Sequence, residues 1–139
     1  MNAILHTKYG SPDVLSYQEI EQPSPKADEV LVKVYAAALN AGDNYIMQGK
    51  PYLVRLMGGG LFTPKHLVFG NDIAGEVVAV GSNVTHFKVG DEVYGESGYG
   101  AFAEYACVSE ETLGHKPTNL SFAEAAAVPV AGSTALQGI

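Results

Sequence analysis

The sequence contains no tryptophan and a single cysteine, Cys107, among its 139 residues. One cysteine excludes an intrachain disulfide and any zinc site built from several cysteines. Basic residues are also scarce, because 8 lysines and arginines stand against 15 acidic residues and give a net charge of -7. This balance argues against nucleic acid or an anionic membrane as a partner.

Long hydrophobic runs are missing as well. No stretch approaches the ~20 apolar residues of a membrane-spanning helix. The first six residues lack the basic region and the apolar core of a signal peptide. The composition, 47% hydrophobic and 17% charged, is typical of a globular domain. We therefore expect one cytoplasmic domain with no nucleic-acid partner and no membrane partner.

The pattern of apolar residues predicts a mainly β fold with a few short helices. The predicted strands span residues 3–6, 14–20, 29–39, 73–80 and 102–108. A short helix is predicted over residues 40–48, with Asn40 as its N-cap and Gly49 just beyond its end. Ser121 and Glu124 form the pattern of a capping box, which predicts a second helix limited by Pro129.

The stretch from Phe69 to Gly95 reads FGNDIAGEVVAVGSNVTHFKVGDEVYG, with a strand, a turn at residues 81–83 and the start of another strand. Its pattern, G-N-D-x-x-G-x-V-x-x-V-G followed by F-K-V-G-D-x-V, resembles the medium-chain dehydrogenase/reductase superfamily. The resemblance implies a catalytic domain with a GroES-like β-barrel fold, of the type found at the N-terminus of alcohol dehydrogenases.

The resemblance also implies a division of the chain. Residues 1–130 would form the GroES-like catalytic domain, and residues 131–139 would begin a helix that leads to a Rossmann domain absent from this sequence. A helix places Leu136 and Ile139 on one face with nothing to cover them. We therefore expect self-association and a homo-oligomer.

A nucleotide-binding fingerprint is not predicted within these residues. Residues 98–103, GYGAFA, match G-x-G-x-x-A. A functional fingerprint also needs a following helix and an acidic residue about 20 positions further on. The pattern of residues 102–108 predicts a strand and not the required helix, and the position that should hold an acidic residue holds Ala123. We therefore expect a turn here.

Two asparagines bear on the metal question. In the zinc alcohol dehydrogenases that the sequence resembles, Cys and His ligands stand where Asn40 and Asn71 stand here. A catalytic zinc usually takes thiolate, imidazole or carboxylate ligands, and an amide is none of these. The histidines at positions 6, 66, 86 and 115 show no ligand spacing, and we expect each at the surface or at a barrel end. The sequence predicts no metal site.

The remaining branch of the superfamily is zinc-independent and contains quinone oxidoreductases and enone (2-alkenal) reductases. Its members carry Asn-x-x-Asp, which fits Asn40-Ala41-Gly42-Asp43, although the usual proline is Ala41 here. The resemblance implies that Asn40 and Asp43 contact the nicotinamide side of NADPH or NADH. Two simpler interpretations stay open: Asn40 caps the helix, and Asp43 stabilises its first turn.

The resemblance supplies three more candidates. Tyr45 and Tyr52 would lie against the nicotinamide and the substrate as catalytic residues, and Thr134 would bond the nicotinamide carboxamide. Asn71 and Asp72, at the former metal position, would connect the barrel to the cleft. The chain has eight tyrosines, so most of them must be structural.

The predicted function is therefore the catalytic, substrate-side domain of a zinc-independent NAD(P)H-dependent oxidoreductase. Such an enzyme passes hydride to a quinone or to an activated alkene or carbonyl, and we expect these 139 residues alone to be inactive. Two alternatives stay open, a non-catalytic GroES-like binding or assembly module and the zinc-type alcohol dehydrogenase branch. The substrate and the choice between NADH and NADPH are also left open.

Overall fold

The computed structural model describes the backbone of residues 1–139 and the surroundings of every residue except Gly58 and Gly59. The strands are β1 (Asn2–His6), β2 (Leu15–Glu19), β3 (Glu29–Ala38), β4 (Asp72–Val80), β5 (Glu92–Glu96), β6 (Tyr105–Ser109) and β7 (Leu113–His115). The helices are α1 (Ala41–Gln48), α2 (Phe122–Ala126) and α3 (Pro129–Gln137), with a π-helical turn at Arg55–Gly59 and 3-10 turns at Pro12–Val14 and Glu110–Thr112. The predicted fold class, mainly β with a few short helices, is confirmed.

All strand pairs are antiparallel. The first two strands form a hairpin, and the other five form a sheet in the order β6-β3-β4-β5-β7. The hairpin is attached by isolated bridges from Ala3 to Ala103 and from Leu5 to Val68. Strands β3 and β4 are the longest, and Ala38 at the end of β3 pairs with Asp72 at the start of β4. This register places the start of α1 beside Asp72.

Side chains from β4 contribute to two separate apolar clusters. Ile73 and Val77 are fully buried in the main core, which contains residues 30, 32, 73, 77, 87, 93, 101, 106 and 108. Ala74 points to the other face and packs against Ala125 and Ala126 of α2. Successive side chains of a strand point to opposite faces, so this arrangement confirms the strand predicted over residues 73–80.

The predicted helix boundaries hold at α1 and α2. Gly49 ends α1 in the left-handed conformation, with φ of 61°, which glycine adopts without a steric cost. At α2, the Glu124 N–H donates to the Ser121 hydroxyl at 3.2 Å, and the Ser121 N–H donates to the Glu124 carboxylate at 2.8 Å. Pro129 is the first residue of α3, a position where its missing N–H costs nothing. The last helix therefore begins two residues before the boundary predicted at 131.

One prediction about the histidines is wrong. His6 is buried in β1, 1% exposed, and its ring packs against Phe69 with the two ring centroids 4.8 Å apart. Within the part of the chain that the structure describes, its Nδ1 has no hydrogen-bond partner, and burial lowers the pKa of the imidazole. The cause is the attachment of β1 to residues 67–68, where the Leu67 carbonyl accepts the His6 N–H at 2.9 Å. His6 is therefore a neutral core residue.

The end of the chain is exposed. In α3, Leu136 is 75% exposed, and Ile139 beyond it is 102% exposed. Within the described part of the chain, no helix has both the length and the apolar content needed to cross a membrane.

Candidate functional site

Three elements meet where β3 ends. Asn40 lies between β3 and α1, as the N-cap residue of that helix. Asp72 begins β4, and the first turn of α3 approaches it through Val130. The antiparallel register of β3 and β4 and the docking of α3 therefore bring together residues from three distant parts of the sequence.

Asp43 is the third residue of α1 and lies in its first turn. It is 3% exposed, and its carboxylate accepts the Asn40 backbone N–H at 2.8 Å. Burial raises the pKa of Asp43, the hydrogen bond from Asn40 acts in the opposite direction, and the charge of Asp72 raises the pKa further. This geometry supports the helix-stabilising interpretation of Asp43. Its contact with a cofactor stays a prediction.

Asp72 is fully buried and connects Asn40 to α3. Its Oδ2 accepts the side-chain N–H of Asn40 at 3.1 Å and the backbone N–H of Val130 at 3.1 Å. The same Val130 nitrogen lies 3.3 Å from Oδ1. Burial raises the pKa of Asp72, and these two hydrogen bonds oppose that effect. A buried carboxylate needs such donors, because an unpaired charge is costly away from water.

Asn71 has a different role from Asp72. Its Oδ1 accepts the Gly98 N–H at 2.7 Å, and its Nδ2 lies 3.5 Å from a carboxylate oxygen of Glu96. Its backbone carbonyl also accepts the Ser97 N–H at 2.7 Å. Asn71 therefore fixes the turn after β5, and its role in connecting the barrel to the cleft stays a prediction.

The two tyrosine candidates are solvent-exposed. Tyr45 projects from α1 and is 53% exposed, and Tyr52 follows that helix and is 67% exposed. The guanidinium carbon of Arg55 lies 4.9 Å from the centroid of the Tyr52 ring and 4.4 Å from that of Tyr9. Within the described residues no hydrogen bond joins either candidate tyrosine to Asn40. Their catalytic roles stay predictions.

Thr134 is exposed on α3, four residues after Val130. The Val130 N–H that Asp72 accepts points along the helix axis, so this contact fixes the start of α3 and does not define one of its faces. The structure thus joins Asn40, Asp43, Asp72 and the start of α3 in one cluster, with Thr134 one turn away.

The side chains described in the structure offer no metal centre. Among residues 1–57 and 60–139, no group of three His, Cys, Asp or Glu side chains has the geometry to hold a metal ion. Cys107 lies half-buried on β6, and burial raises the pKa of its thiol to about 11. Because the thiolate is the nucleophile, this cysteine is a poor nucleophile near neutral pH.

We expect the purified chain to contain no stoichiometric zinc. Asn40 donates its amide to Asp72, and Asn71 uses its amide within the turn after β5, so neither residue supplies a strong ligand. Elemental analysis of protein prepared without a chelator measures this directly. One tightly bound zinc per chain would contradict the zinc-free assignment.

Three comparisons place the fold among known proteins. The model of the alcohol dehydrogenase GroES-like domain matches residues 26–118. Over the whole of this chain, 2-methylene-furan-3-one reductase of Solanum lycopersicum is 43% identical, and the chloroplastic NADPH-dependent alkenal/one oxidoreductase of Arabidopsis thaliana is 42% identical. The solved quinone oxidoreductase of Coxiella burnetii superimposes with a TM-score of 0.85 at 35% identity over 99% of this chain. The chain spans only 37% of each of the two relatives and 43% of the solved structure.

Proposed function

Because the chain belongs to the alcohol dehydrogenase GroES-like domain family, we propose that it is the substrate-side domain of an NADPH-dependent oxidoreductase. The acceptor would be a small quinone or a compound with an activated double bond. The similar proteins support this proposal, since they include an NADPH-dependent alkenal/one oxidoreductase and a quinone oxidoreductase. The cytoplasmic location stays a prediction, because that alkenal/one reductase is chloroplastic.

One observation carries the proposal. Asn40 stands at the start of α1. Its backbone N–H donates a hydrogen bond to Asp43, and its side-chain amide donates one to Asp72. Asn40 also forms a capping box with Asp43. Because an amide oxygen has two lone pairs and the amide nitrogen has two hydrogens, the side chain keeps capacity for a hydrogen bond to a ligand. The carboxamide and the ribose of a nicotinamide nucleotide offer matching groups. The residues present therefore fit the nicotinamide end of the cofactor.

The cofactor, when bound, supplies the hydride, and the chain supplies contacts that orient it and the acceptor. Asn40 and Thr134 would bind the nicotinamide end. The exposed phenols of Tyr45 and Tyr52 can each donate a hydrogen bond to an acceptor carbonyl, where negative charge develops during reduction. Asp43 and Asp72, both buried, would hold Asn40 in place and would not contact the substrate.

A chimera tests the proposal. Residues 1–139 would replace the matching part of the Arabidopsis NADPH-dependent alkenal/one oxidoreductase, which is 42% identical to them. We expect the folded chimera to oxidise NADPH when a quinone or an enone is added, as followed by the loss of NADPH absorbance. A chimera that melts cooperatively and binds NADPH, yet reduces no acceptor of either class, would favour the binding or assembly module instead.

In the same chimera we expect Asn40→Ala to lower the affinity for NADPH and kcat/KM by several-fold. The loss of one hydrogen bond to a positioned ligand costs about 0.5–1.5 kcal/mol. Asn44→Ala is the matched control, because Asn44 is an exposed asparagine of the same helix that hydrogen-bonds Gln48 at 3.0 Å. If Asn40→Ala lowers only the melting temperature and leaves the kinetics unchanged, Asn40 is a structural residue.

A further inference from the structure

The buried carboxylate of Asp72 joins two parts of the candidate site that are far apart in sequence. Asn40 lies 32 positions before it and Val130 lies 58 positions after it. Both residues donate to the same oxygen, Oδ2, at 3.1 Å. Any movement of Asp72 would therefore disturb the Asn40 amide and the first turn of α3 together.

The chemistry of a carboxylate determines which end of the Asn40 amide, Nδ2 or Oδ1, faces Asp72. An ionised carboxylate only accepts hydrogen bonds. If the amide rotated by half a turn, its Oδ1 would face an oxygen of Asp72, and both groups would lose a hydrogen bond in a buried site. Asp72 therefore keeps Nδ2 of Asn40 on its own side, so that Oδ1 lies on the other side of the amide.

The same carboxylate also fixes α3. Asp72 accepts the N–H of Val130 in the first turn of that helix, where the helix dipole favours a negative charge. Thr134 lies one turn further along this helix. The position of Thr134 relative to Asn40 thus depends on Asp72.

We propose that Asp72 is a positioning residue that holds the Asn40 amide and helix α3 in the arrangement that binds a nicotinamide carboxamide. This inference rests on the proposed function, because that function supplies the ligand. Asn40 then presents its acceptor oxygen to the N–H of the carboxamide. A carboxylate at the same place on the ring brings no donor and meets the negative charge of Asp72. The site therefore selects nicotinamide mononucleotide over nicotinic acid mononucleotide.

Titrations of the 139-residue chain followed by NMR test the proposal with these two mononucleotides as probes. We expect the original chain to bind the nicotinamide form at least about threefold more tightly than the nicotinic acid form. Asp72→Asn keeps the shape of the side chain and removes its charge. We expect this change to weaken binding of the nicotinamide form by about threefold to tenfold and to reduce the discrimination between the probes.

A double-mutant cycle separates positioning from general stability. If Asp72 acts in part through Asn40, Asp72→Asn weakens binding of nicotinamide mononucleotide less in the Asn40→Ala variant than in the original chain. Additive losses from the two changes would overturn the proposal. An affinity unchanged in Asp72→Asn, whatever happens to its melting temperature, would also overturn it.

The side-chain amide signal of Asn40 provides a measurement that needs no ligand. We expect its hydrogens to exchange with water at least about tenfold more slowly than those of exposed Asn44, and Asp72→Asn to reduce this difference. Equal exchange rates at the two asparagines would overturn the proposal. Binding that is sensitive to Asn40→Ala but not to Asp72→Asn overturns this inference alone. If neither mononucleotide binds the original chain, this inference fails, whereas the chimera tests the proposed function separately.

Discussion

Replacing Gly75 by alanine should destabilise the domain more than Asn40→Ala, Asn44→Ala or Asp72→Asn. Gly75 is buried in β4, opposite Val34 of β3. A Cβ at this position would lie 2.0 Å from the carbonyl oxygen of Lys33 and 2.9 Å from Cγ1 of Val32. Because the nearest atom belongs to the backbone of the neighbouring strand, the two central strands must move apart. We expect the free energy of unfolding to fall by about 3 kcal/mol and the melting temperature by roughly 10 °C.

The matched control is Gly42→Ala. Gly42 lies in α1, and a Cβ there meets no atom within 4 Å. The same substitution should therefore stabilise the domain by about 0.4–1 kcal/mol, since alanine favours the helix and restricts the unfolded chain. Urea unfolding of the two variants measures both effects. If Gly75→Ala is as stable as the original chain, β3 and β4 do not approach as closely as the structure shows.

The second large effect concerns the dinucleotide. We expect the 139-residue chain by itself to bind NADPH only in the millimolar range and to reduce no quinone. Binding of the pyrophosphate needs backbone donors at a helix N-terminus or a basic pocket. Residues 98–103, the match to the nucleotide fingerprint, form a turn in which Gly98 and Gly100 have φ of 78° and 92°, and strand β6 follows.

The contacts that remain are too few for tight binding. Asn40, Tyr45, Tyr52 and Thr134 would meet only the nicotinamide end, and association costs about 4 kcal/mol or more in lost translational and rotational freedom. The chimera described above should bind NADPH about a thousandfold more tightly, a difference of about 4 kcal/mol. Calorimetry on both proteins gives the comparison. Micromolar binding of NADPH by the isolated chain would mean that the cofactor site is misplaced.

The parts of this fold that follow from local rules could be predicted from the sequence. Asn40 and Gly49 mark the two ends of α1, and Ser121 with Glu124 opens α2, because a helix cap involves residues only a few positions apart. The strand β4 could also be predicted, because its alternating side chains meet the core on one face and α2 on the other. These features depend on neighbours in sequence, so the pattern alone contains them.

The centre of the candidate site could not be predicted in the same way. The resemblance to the family implied that Asp72 connects the barrel to the cleft. Its hydrogen-bond donors, Asn40 and Val130, lie 32 and 58 positions away in the sequence. Only the pairing of β3 with β4 and the docking of α3 bring them together. The burial of His6 has the same origin, because it depends on the contact of β1 with Leu67. No periodic pattern in the sequence predicts this burial.

The most direct test of the account is to map nicotinamide mononucleotide on the isolated chain by NMR. The central claim is that this domain supplies the nicotinamide end of a cofactor cleft. We predict that the backbone and side-chain signals that shift in the titration cluster at Asn40, Tyr45, Val130 and Thr134. Shifts that cluster instead at the 330 Å³ cavity lined by His66, Tyr99 and Cys107, with none at Asn40, would contradict it.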